Sequence, residues 1–343
     1  MEERLRERLR VGERSSGMGE RSSGMDERSS GIRKWDGTTY GNSLMHRWLI
    51  SILRNVDIRC VYVFTYVFVI PPCLFRPGFK FIYRYFRQRF GDSPLKAFWH
   101  TYQNHCMFGQ AVIDKFAMYA GRTFDIKIDG YEHFLHLSSK PEGFVQLSSH
   151  VGNYEIAGYS LIAENKQLNA LVYFGEKESV MRNRIKMFKH TNIRMIPIRQ
   201  ERLRERLRVG ERSSGMGERS SGFMSHLFEL DSALTKGEIL SIPGDRIWGS
   251  SKTVSVNFLG KEAKLPLGPF RVIATRGLNA LVIHVIKVGT LKYKVIVTPL
   301  SYNKQASRNQ QVKELSEKYA AELERIVRQY PTQWYNYFDF WNT

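Results

Sequence analysis

The sequence predicts an α/β fold, with a mixed sheet flanked by helices and N-terminal membrane-associated helices. Two observations lead to this prediction. Short apolar runs typical of buried strands alternate along the chain with longer amphipathic segments typical of helices. The 343-residue chain is also 42% hydrophobic and 13% aromatic, which is enough to bury a substantial core.

The individual elements follow from the apolar runs and their period. Strands are predicted at 124–128, 143–147, 168–174, 195–198, 239–243, 254–258, 280–288 and 293–297. Helices are predicted at 95–120, 154–165, 178–190, 223–236, 268–276 and 309–329. The last helix is strongly charged but keeps Leu315, Tyr319 and Leu323 on one face, so we expect it to pack on the body of the domain.

A low-complexity repeat occurs twice in the chain. Residues 3–24 and 201–222 are identical, and Glu-Arg-Ser-Ser-Gly units recur every seven residues through Gly31. Each Ser-Ser-Gly interrupts a helical pattern and no apolar seam continues through the units, which disfavours a coiled coil. We therefore predict disorder at 1–31 and a disordered insertion at 201–222 within an α/β domain that spans 93–343.

Residues 32–92 are predicted to be a membrane-associated helical region. Sixteen uncharged residues lie between Arg59 and Arg76, but Pro71 and Pro72 shorten this segment below the ~20 residues that span a bilayer. A helical hairpin or interfacial anchor is favoured over a span, with a buried core helix as the alternative. A basic and aromatic stretch follows and suits either a headgroup boundary or a solvated helix face; its cations are Arg76, Lys80, Arg84, Arg87 and Arg89.

The net charge of +19 indicates an anionic partner. A phospholipid surface, a phosphorylated lipid, the phosphates of coenzyme A and an acidic carrier protein all fit. Nucleic acid is not expected, because no DNA- or RNA-binding signature accompanies the charge. The three cysteines, Cys60, Cys73 and Cys106, have no framework spacing, which fits a reducing compartment.

The most informative segment is 148–155, which reads Ser-Ser-His-Val-Gly-Asn-Tyr-Glu at a predicted strand-to-helix turn. A neutral His150 there can take a proton from a hydroxyl, and Glu155 can fix its tautomer and stabilise the imidazolium. Gly152 and Asn153 allow close backbone approach and turn chemistry at a helix start. From spacing alone, however, a histidine near a glutamate is more often a surface or capping pair.

This segment resembles the His-x4-Asp/Glu motif of the lysophospholipid acyltransferase superfamily, especially its bacterial lipid A biosynthesis branch. Three later segments agree in order: Ile-Pro-Gly-Asp-Arg at 242–246, Val-Asn-Phe-Leu-Gly followed by Leu-Pro-Leu-Gly-Pro within 256–269, and Tyr-Pro-Thr-Gln-Trp at 330–334. Tyr154 stands where that branch commonly has Trp. Glu155, in place of the Asp of glycerolipid enzymes, points toward the lipid A branch.

The resemblance implies transfer of a fatty acyl chain from acyl carrier protein or coenzyme A to a hydroxyl of an envelope lipid, foremost a lipid A precursor. His150 would be the general base and Glu155 its partner. The backbone N–H groups of Gly152 and Asn153 would be candidate oxyanion donors. Neither a cofactor nor a metal is expected, and the enzyme would work at the cytoplasmic face of the bacterial inner membrane.

Asp245 and Arg246 match the second motif of the family. Arg246 would hold a phosphate of the donor or the acceptor, although a structural Asp–Arg pair is an equal alternative. Arg182 would belong to the same rim, with a plain basic helix face as the favoured alternative. An aminolipid, a lysophospholipid or a polyene lipid would be alternative acceptors. A noncatalytic basic membrane-binding protein is the alternative outside enzymes, and the intact motif at His150 disfavours it.

Overall fold

The computed structural model describes residues 43–156, 160–161, 163–173, 192–198, 229–247 and 252–341. Its strands are β1 Asp125–Asp129, β2 Phe144–Gly152, β3 Leu168–Tyr173, β4 Ile193–Ile198, β5 Ile239–Pro243, β6 Thr253–Phe258, β7 Lys261–Pro266, β8 Asn279–Gly289 and β9 Lys292–Pro299. Seven of these form one sheet in the order β1-β9-β8-β2-β5-β3-β4, and β6 pairs with β7. Within the seven-stranded sheet β8 and β9 run antiparallel and the other neighbours run parallel, which confirms the predicted mixed α/β class.

The helices are α1 Ser43–Asn55, α2 Ile58–Phe64, α3 Ile70–Cys73, α4 Pro77–Arg89, α5 Pro94–Tyr119, α6 Tyr131–Ser138, α7 Leu267–Arg276 and α8 Arg308–Gln329. A π-helical turn at Thr65–Val69 joins α2 to α3, and residues 229–235 are also helical. Helix α8 begins at a capping box in which Ser307 and Gln310 satisfy each other's backbone N–H groups.

Both faces of the sheet are covered. Because side chains alternate along a strand, β8 turns Val282 and Ile286 to one hydrophobic cluster and Ile283 and Val285 to another. The first cluster is completed by α7 and α8, and the second by α6. The prediction that α8 packs on the body is confirmed, because its apolar face is buried in the first cluster.

The structure differs from the predicted elements at three places. Strand β2 continues to Gly152 instead of ending at 147, and the predicted helix 154–165 begins as a 3-10 turn at Tyr154–Ile156. The pattern also missed α6 and β7. Strand β7 forms a hairpin with the predicted strand β6, and their connection places Leu259 and Gly260 at positive φ as a tight hairpin turn requires. The predicted helix 178–190 and the repeats at 1–31 and 201–222 lie outside the described residues.

The N-terminal helices bury one face and expose the other. Leu53, Ile58 and Tyr62 pack against α5, whereas Phe64 and Phe68 are exposed. Within the described ranges, no single helix is long and apolar enough to cross a membrane. The segments Ile58–Cys73 and Pro77–Arg89 have the length and apolar composition of a span only when taken together, and their axes differ by a bend of 97°.

A buried polar cluster fastens α2 to the sheet. The carboxylate of Asp114 on α5 accepts hydrogen bonds from Lys287 on β8, Tyr62 on α2 and Tyr293 on β9. Asp114 is 0% exposed and Lys287 is 6% exposed. Burial lowers the pKa of Lys287 and Asp114 opposes that shift, while burial and Asp114 together raise the pKa of both tyrosines. Each of these two buried charges, on Asp114 and Lys287, is therefore stabilised by the other in place of water.

Removing one of these charges should destabilise the fold strongly. Lys287→Met leaves the Asp114 carboxylate buried without a cation and should lower the free energy of unfolding by about 3–5 kcal/mol. Adding Asp114→Leu removes the orphaned charge and should recover most of the loss. Urea unfolding measures both variants. The matched control is Lys313→Met, which breaks an exposed ion pair to Glu317 and should cost less than ~1 kcal/mol. A Lys287→Met cost as small as that of the control would contradict this account.

Candidate active site

The site lies where the two central strands β2 and β5 end. The strands are parallel neighbours, paired from Phe144 with Ile239 to Ser148 with Pro243. His150 lies near the end of β2, and Asp245 follows β5 by two residues. Because parallel neighbours present their carboxyl ends at one edge of the sheet, two distant motifs of the sequence meet there.

The pairing of β2 with β8 is interrupted around His150, and this interruption determines the position of the His150 backbone. Strand β2 pairs with β8 through Ser148, and the pairing resumes only at Gly152, opposite Val285. Between these points the carbonyl of His150 accepts a hydrogen bond from the N–H of Tyr335 at 3.0 Å, and Val151 bridges to Trp334. The C-terminal segment thus supplies the pairing that β8 does not, which keeps the buried backbone groups satisfied.

Gly152 meets a strict steric requirement at this break. Its φ is +62°, and a Cβ atom there would lie 1.8 Å from the carbonyl oxygen of Val285. Only glycine adopts this conformation and leaves that space free. The close backbone approach predicted for Gly152 is therefore present, although it is to the neighbouring strand.

Asp245 holds His150 at two points. Its Oδ1 lies 2.8 Å from Nδ1 of the imidazole, and its Oδ2 accepts the backbone N–H of His150 at 2.8 Å. The indole Nε1 of Trp334 lies 3.5 Å from the same Oδ2. With a carboxylate at Nδ1, that nitrogen carries the proton and Nε2 is the basic one. Among the described residues, none forms a hydrogen bond to Nε2.

The electrostatics keep this pair as a carboxylate and a neutral imidazole near neutral pH. Burial lowers the pKa of His150 below its ordinary value of 6.5, and the charge of Arg246 lowers it further, which outweighs the opposite effect of Asp245. Burial alone would raise the pKa of Asp245, but His150 and Arg246 lower it to about 2. A neutral imidazole beside a fixed anion is the state that a general base requires.

The predicted role of Glu155 needs correction. Its Oε1 lies 2.7 Å from the ammonium of Lys115 on α5, and the hydroxyl of Tyr119 lies 3.5 Å from Oε2. The prediction placed His150 and Glu155 together at a strand-to-helix turn. Because β2 continues to Gly152 and a 3-10 turn follows, Glu155 is directed to α5, and Asp245 occupies the position at Nδ1.

Asn153 also differs from its predicted role. Its backbone N–H donates to the carbonyl of Val285 at 3.0 Å, so this group is not open to an oxyanion. Its side-chain amide donates to the carbonyl of Ala111 on α5 at 3.3 Å, and the residue is buried. Asn153 therefore ties the end of β2 to β8 and α5. The donor role of Gly152 stays a prediction.

Arg246 contacts the C-terminal segment. Its Nη2 donates to the carbonyl of Tyr335 at 2.6 Å, and its guanidinium lies 5.7 Å from the ring centre of Phe338. The Asp–Arg motif is thus partly structural, as one of the two alternatives foresaw, and its phosphate role stays a prediction. Arg182 lies outside the described residues.

Sequence reasoning missed the contribution of Gln333, Trp334 and Tyr335. The side chain of Gln333 brackets the backbone of Lys287, accepting its N–H and donating to its carbonyl, each at 2.9 Å. Trp334 and Tyr335 then reach Asp245 and His150. The Tyr-Pro-Thr-Gln-Trp motif was the available signal, but only the fold shows that it lies beside the histidine.

A family model described as bacterial lipid A biosynthesis acyltransferase matches residues 105–342. The chain belongs to this family. It is accordingly an acyltransferase, and the resemblance inferred from its motifs is confirmed. Among solved structures, the crystal structure of the 1-acyl-sn-glycerophosphate acyltransferase PlsC from Thermotoga maritima matches with 12% identity and a TM-score of 0.33, covering 85% of this chain and 99% of that one. No curated protein sequence matches this acyltransferase significantly.

The pH dependence of the acyltransferase should report the charge of Arg246. With neutral His150 as the predicted general base, kcat/KM should fall as pH drops through a pKa below 6.5. Arg246→Gln removes a charge that lowers this pKa, so the acid limb should move to higher pH, by on the order of one unit, which corresponds to ~1.4 kcal/mol of interaction. Arg276→Gln, which breaks an ion pair to Asp231 on the surface, is the matched control and should leave the limb in place. A limb that stays fixed or moves down in Arg246→Gln would show that Arg246 does not act on His150.

Proposed function

We propose that this enzyme transfers a fatty acyl chain from an acyl thioester, carried by acyl carrier protein or coenzyme A, to a hydroxyl of an envelope lipid, foremost a lipid A precursor. The observation that carries the proposal is the His150–Asp245 pair. Its Nδ1 is occupied by a buried carboxylate, and its Nε2 is left to face a substrate. Such a pair in a chain of this acyltransferase family suits a general base for a hydroxyl acceptor.

The reaction needs one proton relay. Nε2 of His150 takes the proton of the acceptor hydroxyl as its oxygen attacks the thioester carbonyl, and the carboxylate of Asp245 stabilises the resulting imidazolium. Collapse of the tetrahedral intermediate breaks the C–S bond, and the imidazolium returns the proton to the thiolate. A thioester is already activated, so direct attack in a ternary complex suffices without an acyl-enzyme.

We place the enzyme at the cytoplasmic face of the bacterial inner membrane. Helices α1 and α2, the π-helical turn and the residue pair before α4 expose large apolar side chains, namely Trp48, Val63, Phe64, Val67, Phe68 and Phe75. Exposed apolar groups beside a basic helix suit an interfacial contact with anionic lipid. Both candidate donors are also anionic, through the phosphates of coenzyme A or the surface of an acidic carrier.

Loss of the base should abolish transfer and identify the acceptor. His150→Ala should lower the rate about 10²–10⁴-fold, the usual contribution of a positioned general base. Mass spectrometry of lipids should then show a lipid A precursor lacking one acyl chain, both in cells without the gene and in cells that carry His150→Ala. His136→Ala on the exposed side of α6 is the matched control and should restore the full mass. A mass change in another lipid class would contradict the proposed acceptor. An unchanged lipid profile would contradict the proposal of acyl transfer by this chain.

A further inference from the structure

A second concave site lies between helix α4 and the C-terminal segment. Its polar lining consists of Arg84, Gln88 and Arg89 of α4, Lys261 at the start of β7, and Asn336 and Asp339, which follow a 3-10 turn at Pro331–Gln333. Three cations therefore share the cleft with one carboxylate. Trp334 and Trp341 also line it, so one side chain, Trp334, contributes both to this cleft and to the surroundings of Asp245.

The cations of this cleft are held in place without acidic partners. Among the described residues, none forms an ion pair with Arg84, Arg89 or Lys261. The guanidinium of Arg89 stacks 4.8 Å from the ring centre of Trp341, and its Nε is buried without a hydrogen-bond partner. Buried donors are normally satisfied, and one left open inside a cleft is typical of a site that a ligand completes.

The chemistry of the lining selects the ligand. A guanidinium presents a planar fork of N–H donors that matches a phosphate, and Gln88 and Asn336 add neutral donors. Aromatic side chains form the rest of the wall, including Phe81, Phe338 and Trp341. A small inorganic anion would leave these rings without contact, whereas an amphiphile would cover them.

We propose that this cleft binds the phosphate group of an amphiphilic molecule. The proposal rests on the proposed function in one respect, since a phosphorylated lipid acceptor is the natural source of such a group. Because Trp334 lies between the cleft and Asp245, a phosphate bound there anchors the acceptor one side chain away from the His150–Asp245 pair. The cleft thereby contributes affinity for the acceptor and leaves the proton transfer to His150.

Calorimetric titration of the full chain tests this assignment. The probes are dihexanoyl phosphatidic acid, the matched dihexanoylglycerol without phosphate, and inorganic phosphate. The phosphatidic acid should bind most tightly of the three. Its Kd should rise about tenfold or more in Arg89→Gln and in Lys261→Gln, since a lost charge-assisted hydrogen bond costs ~1.5–3 kcal/mol. Lys127→Gln and Lys313→Gln remove exposed cations elsewhere and should change the Kd less than about twofold.

Two outcomes would overturn the proposal. Unchanged affinity in both cleft variants would show that the phosphate binds elsewhere. Equal affinity for dihexanoylglycerol or for inorganic phosphate would show that the cleft does not recognise a phosphorylated amphiphile. Lys261 is exposed, so Lys261→Gln keeps the test decisive if Arg89→Gln fails to fold.

Titrations in the His150→Ala background separate this inference from the proposed function. Binding does not require turnover, so affinity for phosphatidic acid should survive in His150→Ala. Cleft-dependent binding by the wild-type chain, together with no acyl transfer by that chain, would contradict the proposed function alone. If the wild-type chain transfers acyl groups and the cleft variants bind phosphatidic acid with unchanged affinity, the result would contradict this inference alone.

Discussion

The double hydrogen bond between Asp245 and His150 is the interaction on which the rest of the site depends. One carboxylate oxygen fixes the backbone of His150 and the other fixes its imidazole. One carboxylate can bind both the backbone N–H and the imidazole of His150 only if β2 stops pairing with β8 at that residue. The steric demand at Gly152 and the pairing of Val151 with Trp334 ensure that it does.

The same constraint explains why the C-terminal segment belongs to the site. Trp334 and Tyr335 hold the end of β2, and Gln333 joins them to the backbone of Lys287. The side chain of Lys287 in turn meets Asp114 in the buried polar cluster. A continuous set of hydrogen bonds therefore runs from α2, through that cluster and β8, to the His150–Asp245 pair. Such a set holds the His150 imidazole more rigidly than the strand alone would.

Much of the fold could be predicted from sequence because local pattern determined it. Strand β5 matches its predicted range, and α5, α7 and α8 lie within two residues of theirs, since each has a clear apolar period. The extension of β2 could not be found this way. His150 and Val151 are strand-like because the C-terminal segment, more than 180 residues away in sequence, pairs with them. Long-range pairing overrides local propensity in strands.

The candidate site, like the fold, could be predicted from the sequence only in part. His150, Asp245 and Arg246 were each found from motifs, and the structure brings them together. The partner of His150 was misjudged because closeness in sequence suggested contact, whereas the end of β2 and the 3-10 turn direct Glu155, five residues on, to α5. Glu155, predicted as the partner of His150, and Asn153, predicted as an oxyanion donor, instead contact α5. Sequence proximity to His150 was a poorer guide to its hydrogen-bond partner than position at the end of a neighbouring parallel strand.

Nitrogen-15 NMR of the His150 imidazole tests the central claim most directly. Spectra of labelled protein, assigned by comparison with His150→Gln, report the tautomer and its pKa. The account predicts the Nδ1-protonated tautomer, a pKa below 6.5, loss of that tautomer in Asp245→Asn, and no change in Glu155→Gln. A tautomer that survives Asp245→Asn and is lost in Glu155→Gln would contradict it, and would return the role of partner to Glu155.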